Sequence, residues 1–375
     1  MAEPHATSDE METFYRTIAA KSMDALWHRT QGGAPRGPDP VAPYDPMHWS
    51  GQDIATYIKR AGELVRPGPD AQRRVLVLAN ASAGPFRSAT HTLYGNVQMV
   101  LPGEIAPTHR HTSSAIRFIM EGEGAVTIVD GEPVEMAPGD LVLTPGWCFH
   151  GHVSKADGPV LWMDSLDSPL IGALRIGRAE QYPDELEPAT VPVGASYNRY
   201  GGGNLRPLWQ RQSSRISPQL LYPWAKTEQA LHELKRTEAS PFDDVAFEYT
   251  NPTTGGPVLP TLGCNIQLIR PGVSTKAHRH SSSTVYYVFR GSGYSVIDGV
   301  RIDWAAGDFI SLPPWAWHEH ANPGAEDAVL FSTTDAPMLE ALVLLEEHEH
   351  PGNGHQEVTS TYAERYGNIP VAQGS

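Results

Sequence analysis

Apolar residues recur at helical intervals early in the chain and at strand-like intervals through most of the rest. Between residues 10 and 30, Met11, Phe14, Ile18, Met23, Leu26 and Trp27 fall at helical spacing and predict an amphipathic helix. A stretch rich in Pro and Gly follows at 32–46. Ser50 then offers an N-cap to a second helix carrying Ile54, Tyr57, Ile58 and Leu64. From Arg73 the texture changes to short β-type runs between glycines, predicting strands at 75–78, 95–101, 125–129, 140–144 and 160–163. Residues 169–251 lose this rhythm, except for a predicted helix near 227–235 with Leu231 and Leu234 on one face. Strand texture returns over 262–333. An acidic tail closes the chain, with a short helix expected near 338–345.

Composition sharpens this picture. The 375 residues include 35 Gly and 33 Pro, which suits many turns between short strands better than a helical bundle. The formal charge of −15 argues against a phosphate-backbone partner, so nucleic-acid binding is not expected. No apolar run approaches the ~18 residues of a membrane span, and the acidic first ten residues lack the apolar segment of a secretory signal. Two cysteines, Cys148 and Cys264, make no disulfide framework, and a cytoplasmic location is the default expectation.

Self-comparison adds most. Gly103, His109, Arg110 and His111 reappear, at an offset of 169, as Gly272, His278, Arg279 and His280. Gly139-Asp140, Pro145, Trp147, His150 and His152 reappear, at an offset of 168, as Gly307-Asp308, Pro313, Trp315, His318 and His320. Two separate motifs at nearly one offset mark a tandem duplication. Each copy of this pattern reads as an all-β unit of about 75–80 residues, the size of a small barrel or jelly roll. The expected organisation is a helical arm at 1–72, a first barrel at 73–168, a linker with helices at 169–256, a second barrel at 257–336 and a tail at 337–375.

The duplicated histidines are candidate metal ligands. Residues i and i+2 of a strand share a face, so His109 and His111 project together. His150 arrives from a second strand, and three imidazoles so gathered form a metal site. His278, His280 and His318 repeat the set as a possible second site. His348 and His350 have no third partner in a β context and read as solvated tail.

The pattern Gly-x5-His-x-His followed by Pro-x-x-x-x-His resembles the cupin signature, with Trp147 and Trp315 where that signature has a Gly. The chain therefore looks like a bicupin: all-β, two tandem double-stranded β-helix barrels with a helical N-terminal arm. The resemblance narrows over residues 106–118, Glu121-Gly122-Glu123-Gly124, residues 143–152, Tyr222-Pro223-Trp224 and residues 251–256. These resemble the gentisate 1,2-dioxygenase family, which includes salicylate and 1-hydroxy-2-naphthoate dioxygenases. The resemblance implies an Fe(II) enzyme that opens gentisate with O2 between the carboxyl- and hydroxyl-bearing carbons, giving maleylpyruvate. Salicylate, a 5-substituted salicylate or 1-hydroxy-2-naphthoate are alternative substrates. Partners are then a small aromatic hydroxy acid and O2, and a homo-oligomer, most often a tetramer, is expected.

The residues themselves support part of this. Many cupins place a Glu ligand four or five residues after the second His, where this chain has Ala115 and Ile116, or Thr284 and Val285. Three neutral ligands leave room for a chelating acid and O2. Arg117 is a carboxylate fork, and its even offset from the ligands suggests that it faces the pocket; the second copy has Tyr286 there. The resemblance adds Gln98 as a pocket amide, Arg73 as a basic residue reaching the pocket, and Asp164 as a carboxylate for a ring hydroxyl para to the chelating one. His152 is placed to assist proton transfer. Asn96 departs from the small apolar residue expected before the pocket glutamine. A non-catalytic metal-binding bicupin is the competing reading. The histidines retained in both halves count against it.

Overall fold

A computed structural model describes residues 7–28, 39–67, 73–203 and 205–367. The first six residues, the end of the 10–30 helix, the start of the Pro- and Gly-rich stretch and residues 71–72 of the arm lie outside the described residues. The chain divides into two compact units, Met1–Val41 and Ala42–Ser375. In the first, Thr7 and Glu10 form a capping box that starts the helix Ser8–Ala19. This helix is shorter than its apolar spacing predicts. Ser22 turns to a positive φ of 58°, and the Met23 N–H bonds back to the Ile18 carbonyl, closing the last turn. Leu26–His28 is a separate single 3-10 turn.

The second unit holds two barrels, each made of two facing sheets that are antiparallel except where Ser360–Thr361 pairs in parallel with Val300–Ala305. In the first barrel, one sheet runs in the order Leu221–Tyr222, Leu141–Thr144, Ala115–Glu121, Val160–Leu166, Tyr94–Val100 and Val75–Val77. The facing sheet is Ala179–Gln181, Ile105–His111, His150–Ser154, Ala125–Val129 and Glu132–Met136. The second barrel repeats the plan. Its Met47–Trp49, Phe309–Leu312, Thr284–Arg290, Ala328–Thr334, Gly263–Ile269 and Val245–Glu248 strands form one sheet. Its His278–His280, His318–Ala321, Ser292–Ile297 and Val300–Ala305 strands lie in the other.

The duplication extends well beyond the 75–80 residues legible in the motifs. It runs from Met47 to Gln181 and from Leu221 to Glu349, and its leading segments are exchanged. Met47–Trp49 precedes the first barrel but pairs with Phe309–Leu312 of the second. Leu221–Tyr222 precedes the second barrel but pairs with Leu141–Thr144 of the first. The helices that follow straddle both barrels. Gly51–Leu64 begins with the Gly51 N–H donating to Asp308 Oδ1 at 2.7 Å, then buries Ile54 and Ile58 in a core shared with Met99 and Leu78 of the first half. Trp224–Leu234 begins with the Trp224 N–H donating to Asp140 Oδ1 at 2.8 Å, and its Trp224 ring meets Phe289 of the second barrel. The motif aspartates therefore cap helices from elsewhere in the sequence. The second of these helices starts three residues earlier than its apolar spacing suggests, because its cap is tertiary. Two glycines permit the contacts: a Cβ at Gly51 would lie 2.6 Å from the Gly307 backbone, and one at Gly139 would lie 2.6 Å from the Trp224 ring.

Alternation along Ala115–Glu121 sets the rest. Ile116 and Phe118 face the other barrel, where Phe118 stacks on Phe331 at 4.2 Å. Arg117 and Ile119 therefore face inward.

The tail departs from expectation. His348 and His350 are not solvated tail: Glu347–Glu349 adds a strand to His278–His280, and the His350 N–H donates to the Ala277 carbonyl. The pairing places His348 against Arg279, where the first barrel pairs Glu180 with Arg110. The short helix spans Ala336–Ala341 rather than 338–345, and Val343 turns to positive φ beyond it.

Candidate functional site

His109 and His150 are register partners on adjacent strands of the first barrel, and His111 lies two residues along the same face. Their ligand nitrogens lie within 4.8 Å of one another. The outer nitrogens are committed: His111 Nδ1 lies 2.8 Å from the Ser113 carbonyl, and His150 Nδ1 lies 3.0 Å from the Cys148 carbonyl. A carbonyl only accepts, so each Nδ1 carries the proton and each Nε2 lone pair is left for a metal. Burial is the main force keeping these rings neutral, aided by Arg73 and Arg117; it pushes His109 down to about 2 and His150 well below the usual histidine range. Neutral, pre-oriented imidazoles without a carboxylate fit a divalent transition metal.

The opposite sheet faces this triad. Arg117 sits on Ala115–Glu121, Asp164 opposite it on Val160–Leu166, and Asn96 opposite Asp164 on Tyr94–Val100. The triad and Arg117 lie on different sheets, so the even offset between them is not what turns Arg117 inward. The alternation within its own strand does that. Arg117 is 3% exposed, donates to Thr144 Oγ1, and holds its Nε 3.2 Å from Asp164 Oδ1. Burial raises the Asp164 pKa, and the Arg117 guanidinium opposes that shift. Neither Arg117 Nε nor Asp164 Oδ1 has an aligned hydrogen-bond partner.

The other candidates converge on the same space. Gln98 is buried and its Nε2 has no partner. Arg73 reaches in from the segment before Val75–Val77, with Nη2 3.2 Å from the Pro107 carbonyl and 3.2 Å from His109 Nε2. Burial, then the charge of Arg117, pushes Arg73 down to about 9, which leaves it charged at neutral pH. His152 Nδ1 lies 2.9 Å from Thr127 Oγ1, while its buried Nε2 has no partner. In the tautomer with Nδ1 donating to Thr127 Oγ1, His152 keeps an accepting lone pair at Nε2. Asp167 is structural: it accepts from the Ser114 N–H and the Thr261 hydroxyl.

Sequence reasoning missed Ser113, Thr127 and Thr144. Ser113 left a signal, since Ser282 repeats it two residues after the second copy's ligand. Thr127 left a weaker one, since Ser295 repeats its hydroxyl at an offset of 168 and meets His320 at 2.8 Å; Thr144 left none, because only the strand register brings it to Arg117.

In the second barrel, the ligand nitrogens of His278, His280 and His318 also lie within 4.8 Å of one another. His280 and His318 repeat the outer contacts, at 2.9 Å to the Ser282 carbonyl and 3.1 Å to the Ala316 carbonyl. Tyr286 stands in place of Arg117, and Ser332 lies opposite it in place of Asp164. No helix among the described residues is long and apolar enough to cross a membrane.

Known proteins share this arrangement. The cupin domain family matches residues 96–166 and 265–334. A 5-aminosalicylate 1,2-dioxygenase of Comamonas sp. is 35% identical over 96% of each chain. A gentisate 1,2-dioxygenase of Aquipseudomonas alcaligenes is 35% identical over 89% of this chain and 94% of its own. The crystal structure of salicylate 1,2-dioxygenase from Pseudoaminobacter salicylatoxidans, an adduct with gentisate, superposes with a TM-score of 0.85 at 35% identity, covering 92% of this chain and 95% of that one. With a relative this similar along nearly its whole length, and with both barrels and both triads in place, the chain belongs to the gentisate and salicylate 1,2-dioxygenase family of ring-cleaving bicupin enzymes.

Proposed function

We propose that the first barrel is the catalytic one, that His109, His111 and His150 hold Fe(II) there, and that the substrate is gentisate, opened between its carboxyl- and hydroxyl-bearing carbons to maleylpyruvate. One observation carries this reading: Arg117 is a buried guanidinium facing a neutral three-histidine face. Asp164 balances its charge from the Nε side, and the planar fork of the guanidinium matches a substrate carboxylate. The iron, when bound, supplies the redox chemistry that joins O2 to the ring.

The protein's own residues orient the substrate. Arg117 holds the carboxylate and fixes the ring plane, which selects the bond presented for cleavage. Arg73 adds a second positive charge beside His109. Gln98 Nε2 supplies a neutral donor, and the lone pair at His152 Nε2 accepts a hydrogen bond from the phenolic hydroxyl. Asp164 is available to a ring hydroxyl on the far side.

The same machinery suits salicylate, 1-hydroxy-2-naphthoate or a 5-substituted salicylate, and the Comamonas relative is named for the last class. Oxygen uptake against a panel of hydroxybenzoates, with Fe(II) and ascorbate, tests the proposal. Gentisate should give the highest kcat/KM, with a ring-opened product. No uptake with any member would overturn the reading, and a preference for another member would replace the substrate.

A further inference from the structure

The second barrel differs from the first in a specific way. It keeps the metal-binding face and the pocket amides but reverses the charge around them. His278, His280 and His318 repeat the triad, and Gln267 and Asn265 repeat Gln98 and Asn96 at an offset of 169. Neither pocket arginine of the first barrel has a counterpart. Tyr286 replaces Arg117, and Ser332 replaces Asp164. The segment leading into the outer strand carries Arg73 in the first barrel and Asp243 in the second, while Asp244 beside it is paired with Arg270 at 2.7 Å. His278 and His280 open onto a cavity of about 290 Å³, also lined by Gln267, Tyr286 and Ser332. Its lining includes the carboxylates of Asp243, Glu248 and Glu347 and contains no lysine or arginine. The buried His278 Nδ1 has no partner.

We propose that this cavity is a second, separate metal-dependent binding site, which takes a small uncharged or cationic phenolic ligand and rejects the carboxylates accepted by the first barrel. The physical reason is Coulombic. Beyond the metal itself, an anion entering here would meet three acidic side chains and no lysine or arginine in the lining, whereas a hydroxyl or an ammonium meets acceptors. The cavity is sized for a single ring, and the phenol and amide groups of Tyr286 and Gln267 offer hydrogen bonds to neutral oxygen substituents.

The inference does not depend on which acid the first barrel opens. Its test uses the full-length iron-loaded protein with the first triad removed, His109→Ala with His150→Ala. Iron per chain is measured, and three probes that share one chelating head are titrated anaerobically by calorimetry: 4-methylcatechol, 2-(3,4-dihydroxyphenyl)ethylamine and 3,4-dihydroxybenzoate. About one iron per chain should remain. The neutral and cationic probes should bind about tenfold or more tightly than the anionic one. Asp243→Asn should narrow that gap. Tyr286→Arg with Ser332→Asp, which rebuilds the first barrel's ion pair, should close or invert it. In an otherwise wild-type chain, that rebuilt pair should leave first-barrel oxygen uptake intact, which reports folding. Loss of all iron from the double histidine variant, equal affinities for the three probes, or a preference for the anion would each overturn the proposal.

Discussion

Asp164 lies directly across the strand pair from Arg117, with its Oδ1 3.2 Å from the arginine Nε, and both side chains are buried. The pair joins stability to specificity, because removing either member strands a buried charge. Truncation of Arg117 to Ala should destabilise the fold by ~3–5 kcal/mol, so folding must be measured alongside activity. Arg117→Lys keeps the charge but loses the fork, and should lower kcat/KM for gentisate by ~30-fold or more while retaining iron. Wild-type efficiency in a folded, iron-loaded Arg117→Ala variant would show that the carboxylate is held elsewhere, with Arg73 the next candidate.

The two triads should separate on mutation. His109→Ala or His150→Ala is expected to abolish turnover, and His278→Ala to cost much less, since no buried arginine faces the second triad. Iron content, thermal stability and oxygen uptake measured on the same preparations decide this. Equal and complete loss of activity in a folded His278→Ala protein would mean that the barrels act together.

Stability should fall on acidification. Burial keeps His109 near 2, His280 near 4 and His320 near 3, and depresses His111, His150, His152 and His318. A histidine whose folded pKa lies below its unfolded value binds fewer protons when folded, so stability rises with pH. Its contribution is complete above ~6.5 and is lost progressively below that, at up to about 1.4 kcal/mol per pH unit per residue. The chelator-treated protein should therefore lose Tm steeply between pH 7 and pH 5. A flat Tm over that interval would contradict the burial of these rings.

Asp140 and Asp308 should be unequal. Asp140 accepts from the Trp224 and Ala137 N–H groups, and Asp308 accepts from Gly51 and Ala305 and also faces His48 Nε2 at 2.9 Å. Replacing either by Ala leaves buried donors unpaired, for ~1–3 kcal/mol. Asp308→Ala should cost more, and because each capped helix straddles both barrels, both variants should unfold in a single transition. Chemical denaturation followed by tryptophan fluorescence measures this, and two separated transitions would count against mutual support.

Assembly is expected to be tetrameric. Leu26 and Trp27 are 74% and 69% exposed in the N-terminal unit and offer apolar surface to another copy. Light scattering after size exclusion at micromolar concentration should report a homo-oligomer, and a monomeric mass would refute the expectation.

By itself, the sequence determined the duplication, the two sets of three histidines, the missing fourth carboxylate ligand and the difference between Arg117 and Tyr286. These are local or repeated patterns: strand alternation puts His109 beside His111, and a repeat shows itself by comparison. It also placed Ser50 at its cap, because that hydrogen bond spans only three residues. Tertiary structure alone decided the remainder. The exchange of Met47–Trp49 and Leu221–Tyr222 between barrels is invisible in sequence, since strand pairing across such separations depends on closing the whole core. The start of the Trp224 helix was missed because its cap, Asp140, lies far away in the chain. His348 and His350 looked like a solvated tail because an edge strand three residues long has too few positions to show alternation. The acidic cavity at the second triad emerged only when Asp243 and Glu248 from one segment and Glu347 from another, each an unremarkable carboxylate in sequence, were brought beside His278 and His280.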